Sequence, residues 1–231
     1  MAQIVCVIGN KGGTGKTTLS HMLCQGLGLL GQRAACVLTD VCRQPLIPDG
    51  RRYITADART PVALDKVVAK LRTLEHWLGV IDGGGNRTEM DRRLYAISDL
   101  VLLPFRDSHE DLRTVMQDLE QFPRAFAVPS QWPTNAWQRS AADRAVGELL
   151  RPYRHRILHP VGSLSASKLL LQKRIPEQIP TQVSNACRAF ARQVLELLEI
   201  DLGEEETDSP MQTTETLDED ERPMRLRGQA S

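Results

Sequence analysis

The chain has 231 residues, with 29 Lys and Arg against 29 Asp and Glu and 41% hydrophobic side chains. That length suits one domain with enough apolar material for a core, which excludes a wholly disordered chain, a collagen and a small disulfide scaffold. No stretch approaches the roughly 18 apolar residues of a membrane span. Met1-Ala2-Gln3 brings no positive charge ahead of the first apolar run, so no secretory signal is expected.

The zero net charge hides an asymmetry. Residues 204–231 hold nine acidic and three basic residues, which leaves 26 basic and 20 acidic over residues 1–203, a net of +6. The expected organisation is a mildly basic folded domain over 1–203 and an acidic, disordered tail over 204–231. The cysteines at 6, 24, 36, 42 and 187 form no C-x-x-C pair, and Cys6 and Cys36 sit inside apolar runs. They read as small buried hydrophobes in a reducing compartment, without a structural metal.

In chain order, Ile4 to Ile8 is a continuous apolar run that ends at Gly9, a buried strand. Thr17 to Leu30 has helical spacing. Ala34 to Leu38 is a second strand, and residues 39–60 form a loop with a short strand near Tyr53-Ile54. Thr60-Pro61 opens a helix that runs to about Glu75. Trp77 to Ile81 is a strand closed by Asp82-Gly83-Gly84-Gly85, and a helix follows through Tyr95. Leu100 to Leu103 is a strand, Ser108-x-x-Asp111 resembles a capping box for a helix to Phe122, and Ala125 to Val128 is a strand. Amphipathic helices are expected over 136–150 and 182–199, with a strand near Ile157-Leu158 between them. The alternation predicts an α/β fold, a mostly parallel sheet with helices on both faces, whose ligands bind at the carboxyl ends of the strands.

The strongest signal is Gly9-Asn10-Lys11-Gly12-Gly13-Thr14-Gly15-Lys16-Thr17-Thr18, set between a buried strand and a helix, as in a P-loop NTPase. Such a loop curls its N–H groups toward phosphate oxygens, and the helix start adds its dipole. Gly12, Gly13, Thr14, Gly15, Lys16, Thr17 and Thr18 are therefore the candidate ATP-binding residues. Lys16 would meet the β- and γ-phosphates, and Thr17 would ligate Mg²⁺. Asp82 ends an apolar strand downstream, the Walker B placement for a second metal-holding group. The strict pattern would have glycine at position 10, where this chain has Asn10, and it carries a second lysine, Lys11.

Lys11-Gly12-Gly13-Thr14-Gly15-Lys16-Thr17 resembles the deviant Walker A box of the ParA/MinD ATPases. The resemblance spans about residues 1–200, and Ala96-Ile97-Ser98-Asp99-Leu100-Val101-Leu102-Leu103-Pro104 is similar to a further ParA segment. It implies that Lys11 is the signature lysine, reaching a partner's nucleotide across an ATP-bound homodimer. Asp40 falls where the family reads Asp-x-Asp-Pro-Gln. It is the nearby carboxylate that would position attacking water, and it matches either family aspartate. The adenine-contacting Asn has no obvious counterpart in Val128-Pro129-Ser130-Gln131-Trp132-Pro133-Thr134-Asn135.

Within the family, Pro223 to Ser231 is too short and glycine-interrupted for a membrane-targeting helix. No cysteine between 43 and 186 could hold an iron–sulfur cluster. The P-loop lies almost at Met1, so the short ParA form is expected. The resemblance then implies an ATPase that binds non-specific DNA, is stimulated by a ParB-like or other adaptor, and positions a cargo such as a plasmid, a chromosome region or a carboxysome. Its expected location is cytoplasmic and nucleoid-associated when ATP-bound. Lys168, Lys173, Arg174, Arg188 and Arg192 are the candidate DNA contacts, with a solvated face as the equal alternative. Two other functions fit the same loop: a metabolic P-loop enzyme of the amidoligase or dethiobiotin-synthetase kind, and a nucleotide-gated binding module with negligible turnover.

Overall fold

A computed structural model describes residues 1–84 and 88–201. Gly85 and the tail over 204–231 lie outside the described residues. Six strands form one parallel sheet: β1 (Gln3–Val7), β2 (Arg33–Leu38), β3 (Ile54–Asp57), β4 (Trp77–Asp82), β5 (Leu100–Phe105) and β6 (Ala125–Pro129). Their order across the sheet is β3-β2-β4-β1-β5-β6, and every pairing is parallel. The order reverses at β1. The chain first builds outward on one side of it and then crosses to the other, which leaves a crevice at the carboxyl end of β1.

The helices α1 (Lys16–Leu29), α2 (Pro61–Arg72), α3 (Thr88–Ile97), α4 (His109–Gln121), α5 (Ala136–Leu149) and α6 (Thr181–Leu197) are the crossovers and covers. Strand alternation divides the layers. Ile4, Cys6 and Ile8 join a core with Leu64 and Leu71 of α2, Leu94 of α3, and Leu112, Val115 and Leu119 of α4. On the opposite face of the sheet, Val5 and Val7 are equally buried, and α1 packs between the sheet and α6. Residues 19–27 of α1 are all buried, so the helix shows little amphipathic contrast.

Local signals explain the element ends. Thr60 accepts a hydrogen bond from the Ala63 N–H, and Ser108 accepts one from the Asp111 N–H. Asn135 caps α5 through the Trp137 and Gln138 N–H groups. One expectation needs correction. No strand forms at Ile157-Leu158: the chain makes a 3₁₀ helix over Arg151–Arg156 and then meets β6 through an isolated bridge, Ala127 with Ile157, and a bond from the Val161 N–H to the Pro129 carbonyl. Arg156 pins that turn by donating to the carbonyls of Leu119, Phe122 and Pro123, and Pro160 has no N–H to extend a ladder. The short strand expected near Tyr53-Ile54 is β3, and Tyr53, just before it, is buried with its hydroxyl 2.8 Å from His21 Nδ1.

The α1–α6 contact is close because glycine makes it so. A Cβ built on Gly26 would lie 2.0 Å from the Cys187 carbonyl oxygen and 2.8 Å from Ala191 Cβ, with backbone rather than a flexible tip in the way. Gly147, inside α5, faces open space. Gly26→Ala is therefore expected to lower stability by about 1–3 kcal/mol through overpacking. Gly147→Ala should raise it by about 0.5–1 kcal/mol through helix propensity. Urea unfolding midpoints at constant m check both, and a stable Gly26→Ala would contradict the close packing.

Candidate functional site

β1 sits between β4 and β5, and the Ile8 N–H continues the ladder with a 3.0 Å bond to the Leu102 carbonyl. The chain then turns out of the sheet at Gly9. Gly13 and Gly15 take φ of +77° and +93°, left-handed values that L side chains rarely adopt, and Gly15 is the residue before α1. A Cβ on Gly12 or Gly13 would meet nothing within 4 Å, so this side of the loop is open to a ligand. A cleft of about 330 Å³ opens there, lined by Gly12, Gly13, Gly15, Lys16, Thr17 and Thr18 with Asp40, Arg43, Gly83 and Gln131. Six of the seven candidate loop residues and Asp40 are thereby brought together. Thr14 is the exception. It is 3% exposed, its carbonyl accepts from the Ser130 hydroxyl, and its own hydroxyl donates to the Lys11 carbonyl at 3.4 Å.

Lys16 is 7% exposed, and burial lowers its pKa. Its ammonium donates to the carbonyl oxygens of Gly9 at 3.1 Å and Lys11 at 2.6 Å. An ammonium has three N–H donors, so one is left for an anion. Opposite stands Asp82, the last residue of β4 and 1% exposed. Neither of its carboxylate oxygens has a hydrogen-bond partner of normal length. Burial pushes its pKa up to about 6, while the Thr17 hydroxyl facing it pulls the other way. The strand end is fixed independently, by the Thr39 hydroxyl donating to the Asp82 carbonyl at 2.7 Å. A desolvated, unsatisfied carboxylate beside a hydroxyl is the donor set a hard cation completes. The residues therefore fit a Mg²⁺-bound polyphosphate: Gly12, Gly13, Gly15 and Lys16 would hold phosphate, and Thr17 and Asp82 the metal.

Asp40 lies at the mouth of the cleft. One carboxylate oxygen accepts from the Cys42 N–H at 3.0 Å, and the other lies 3.3 Å from the Arg43 Nε. Arg43 and Gln131 both line the cleft, and no local pattern marks either one. Gln131 lies inside the stretch where no base-contacting Asn was evident, and its Nε2 donates to the Gly13 carbonyl at 3.2 Å.

Lys11 does not face the cleft. Its ammonium is 2.5 Å from Asp111 Oδ1 and 2.8 Å from Glu110 Oε2, both in the first turn of α4. The hydrogen bond to Asp111 is the main cause of its raised pKa. The Asp111 side chain is fully buried and also accepts from the Ser108 hydroxyl at 2.6 Å and the Arg106 N–H at 3.0 Å. Burial pushes its carboxyl up, but Lys11 and Ser108 outweigh that and hold it below the usual carboxylate range. Asp111 was legible only as a capping residue, and its role as counter-ion depends on tertiary placement. Asp118, one helical segment on, accepts from the Asn10 side chain at 2.5 Å. The phosphate loop is thus strapped to α4 at two points and to the end of β6 through Ser130 and Gln131.

The candidate DNA contacts lie on separate elements. Lys168 lies on a 3₁₀ helix, Ser165–Leu171, whose Leu170 is fully buried. Lys173 and Arg174 follow in irregular chain, because Pro176 ends any helical continuation. Arg188 and Arg192 are one turn apart on α6. Both the 3₁₀ helix and α6 pack on α1.

No family model and no curated protein matches the chain. Solved structures do. MinD from Aquifex aeolicus is 17% identical with a TM-score of 0.64, over 84% of this chain and 98% of that one. The ATP complex of a McdA variant from Cyanothece is 15% identical with a TM-score of 0.61, over 87% and 97%. ParA of pNOB8 bound to nonspecific DNA is 12% identical with a TM-score of 0.61, over 86% and 99%. The chain has the fold of the ParA/MinD deviant Walker A ATPases.

The Asp82 geometry has a signed consequence. A carboxyl whose pKa is raised on folding binds its proton more tightly in the native state, so it destabilises the metal-free protein as pH rises from about 4 through about 6. Asp82→Asn is expected to stabilise metal-free protein at pH 7 by about 2–3 kcal/mol and flatten that pH dependence. The same variant should lose Mg²⁺-dependent nucleotide binding. Thermal unfolding across pH 4–8, with and without Mg²⁺ and nucleotide, checks the sign. A destabilised Asn variant would contradict an uncompensated carboxylate.

Proposed function

We propose that the chain is a ParA-like ATPase that binds MgATP, pairs with a second copy, binds non-specific DNA in that state, and is released when an adaptor stimulates hydrolysis. The observation that carries the reading is the pairing of a desolvated Lys16 with an unsatisfied Asp82 across a glycine loop that also carries Lys11. The solved relatives with ATP or with nonspecific DNA in their printed descriptions support it at the level of fold.

Each residue then has a physical task. The Lys16 ammonium, itself largely buried, would neutralise phosphate charge where a positive charge is worth more than in solvent. Thr17 and Asp82 would hold Mg²⁺, which would supply positive charge to offset that of the phosphates. The Asp40 carboxylate, at the cleft mouth, would orient the attacking water. Lys11 would serve a second copy's nucleotide, and leaving Asp111 and Glu110 is the step that links nucleotide state to pairing. The cost of leaving a fully buried Asp111 without its ammonium opposes pairing until nucleotide supplies a stronger site for Lys11. In a dimer, Lys168, Lys173, Arg174, Arg188 and Arg192 would be doubled, and phosphate contacts add in log affinity.

A module that pairs on ATP with little turnover is the second reading. It is favoured by one feature: Asp40 is the single carboxylate at the end of β2, and it is already engaged by Arg43 and the Cys42 N–H.

DNA binding of the purified chain with ATP, with ADP and without nucleotide, at 50 and 200 mM salt, tests the proposal. Binding is expected with ATP only, weakened by salt and abolished by Lys11→Ala or Lys16→Ala. Parallel ATPase assays with DNA separate the two readings. Binding in no nucleotide state would overturn the first.

A further inference from the structure

The turn after β2 brings a guanidinium to the rim of the phosphate cleft. We propose that Arg43 is a γ-phosphate ligand supplied in cis, the residue by which the chain tells ATP from ADP. This role rests on the nucleotide reading above and adds to it a contact that the glycine loop does not provide.

Three observations lead there. The first is place. Arg43 lines the cleft with Lys16 and Thr17, and Arg43 and Thr17 also line a larger cavity of about 810 Å³ that reaches Asp82. Burial has the largest effect on the Asp82 carboxyl and pushes it up. The Thr17 hydroxyl and then Arg43 do most to pull it back, ahead of Lys16, which sets the Arg43 charge close to this carboxylate. In a P-loop site the lysine and the metal-holding residues serve the β- and γ-phosphates. Here Asp82 ends β4, and β4 lies between β1 and β2. The outer phosphates therefore belong on the β2 side of the loop, where Arg43 stands. Gln131 meets Gly13 from the other side, after β6.

The second is that the arginine is held in advance. Its N–H donates to the Asp40 carbonyl at 3.2 Å and closes a tight turn, within which the Cys42 N–H donates to the Asp40 carboxylate. Arg59 donates to the Arg43 carbonyl at 3.1 Å and is itself fixed by Asp57, with bonds of 2.9 and 2.7 Å. Farther along the segment Arg51 acts as a strut, donating to the carbonyls of Ile47 at 2.9 Å and Leu170 at 2.7 Å. A preformed wall lowers the ordering cost of binding.

The third is the donor set. The Arg43 Nε lies 3.3 Å from an Asp40 oxygen, and its side chain is half exposed. Its two Nη groups make no hydrogen bond among the described residues. They carry four N–H donors in a planar fork, a shape that matches two oxygens of one phosphate. Lys16 and Arg43 face Asp40 and Asp82 around the cleft, so the site is neutral as it stands. What Arg43 adds is directed donors on the γ-phosphate side rather than excess charge, and Asp40 holds the edge of the guanidinium that points away from them.

Calorimetric titration of the full chain with the non-hydrolysable analogue adenylyl-imidodiphosphate and with ADP, each with Mg²⁺ and each at 50 and 200 mM salt, reads the contact without turnover. The wild-type chain is expected to favour the analogue. Arg43→Ala should weaken the analogue about ten- to hundredfold at both salt concentrations, the range for a lost charged hydrogen bond. Its ADP affinity should stay within about twofold of wild type, which also shows that the variant folds. A variant that keeps the analogue's advantage, that loses both nucleotides equally, or whose loss disappears at 200 mM salt would overturn the role of Arg43 and leave the nucleotide site standing. A wild-type chain that binds the two nucleotides alike would do the same. Failure of the wild-type chain to bind either nucleotide would overturn the nucleotide reading itself, and this role with it.

Discussion

An ammonium and a carboxylate stand almost free of water at the ends of two neighbouring parallel strands, and most of the molecule serves to keep them there. Lys16 is held by loop carbonyls that can accept hydrogen bonds but carry no full charge. Asp82 has no hydrogen-bond partner at all within normal range. Each is costly to bury alone. The arrangement is stable only because a continuous sheet, with helices on both faces, surrounds it. A Mg²⁺-bound polyphosphate would satisfy both groups at once, which is why the cost is placed here rather than elsewhere.

The same economy explains the supports of the phosphate loop. Gly13 and Gly15 adopt left-handed backbone and have no side chains to hold it. Besides the Lys16 and Thr14 bonds to loop carbonyls, the loop is held by groups outside it: Asp118 on Asn10, Asp111 and Glu110 on Lys11, Ser130 on Thr14 and Gln131 on Gly13. Most of these come from α4 and the end of β6, on the far side of β1 from β4. Any change at Lys11 is therefore felt at α4, and α4 sits on the core cluster through Leu112, Val115 and Leu119. A surface lysine in sequence is in structure the partner of a buried carboxylate.

Much of this was legible in the residues. The apolar run from Ile4 to Ile8, the glycine loop and Lys16-Thr17 fixed the phosphate site, because strand, turn and helix must follow one another within a few residues. Asp82 was legible because an acidic residue rarely ends a fully apolar strand without a task. What escaped was set by distant contacts. Nothing local marks Asp111 as the counter-ion of Lys11, 100 residues earlier, nor Arg51 as a strut to Leu170. Ile157-Leu158 looked like a strand from its own composition. Arg156, bonded to three carbonyls some 33 to 37 residues away, ends a 3₁₀ helix just before it, and Pro160 cuts the extended stretch to an isolated bridge. The scattered cations from Lys168 to Arg192 could not be assigned to one surface from spacing, since the 3₁₀ helix that carries Lys168 is short and ends at Leu171.

Calorimetric titration of MgATP into the full chain, beside ATP with a chelator, tests the central claim most directly. One MgATP per chain, with affinity that falls steeply when Mg²⁺ is withdrawn and disappears in Lys16→Ala, is the predicted result. Binding that is absent, or that ignores both Mg²⁺ and Lys16, would contradict the assignment of Lys16, Thr17 and Asp82 as a nucleotide site.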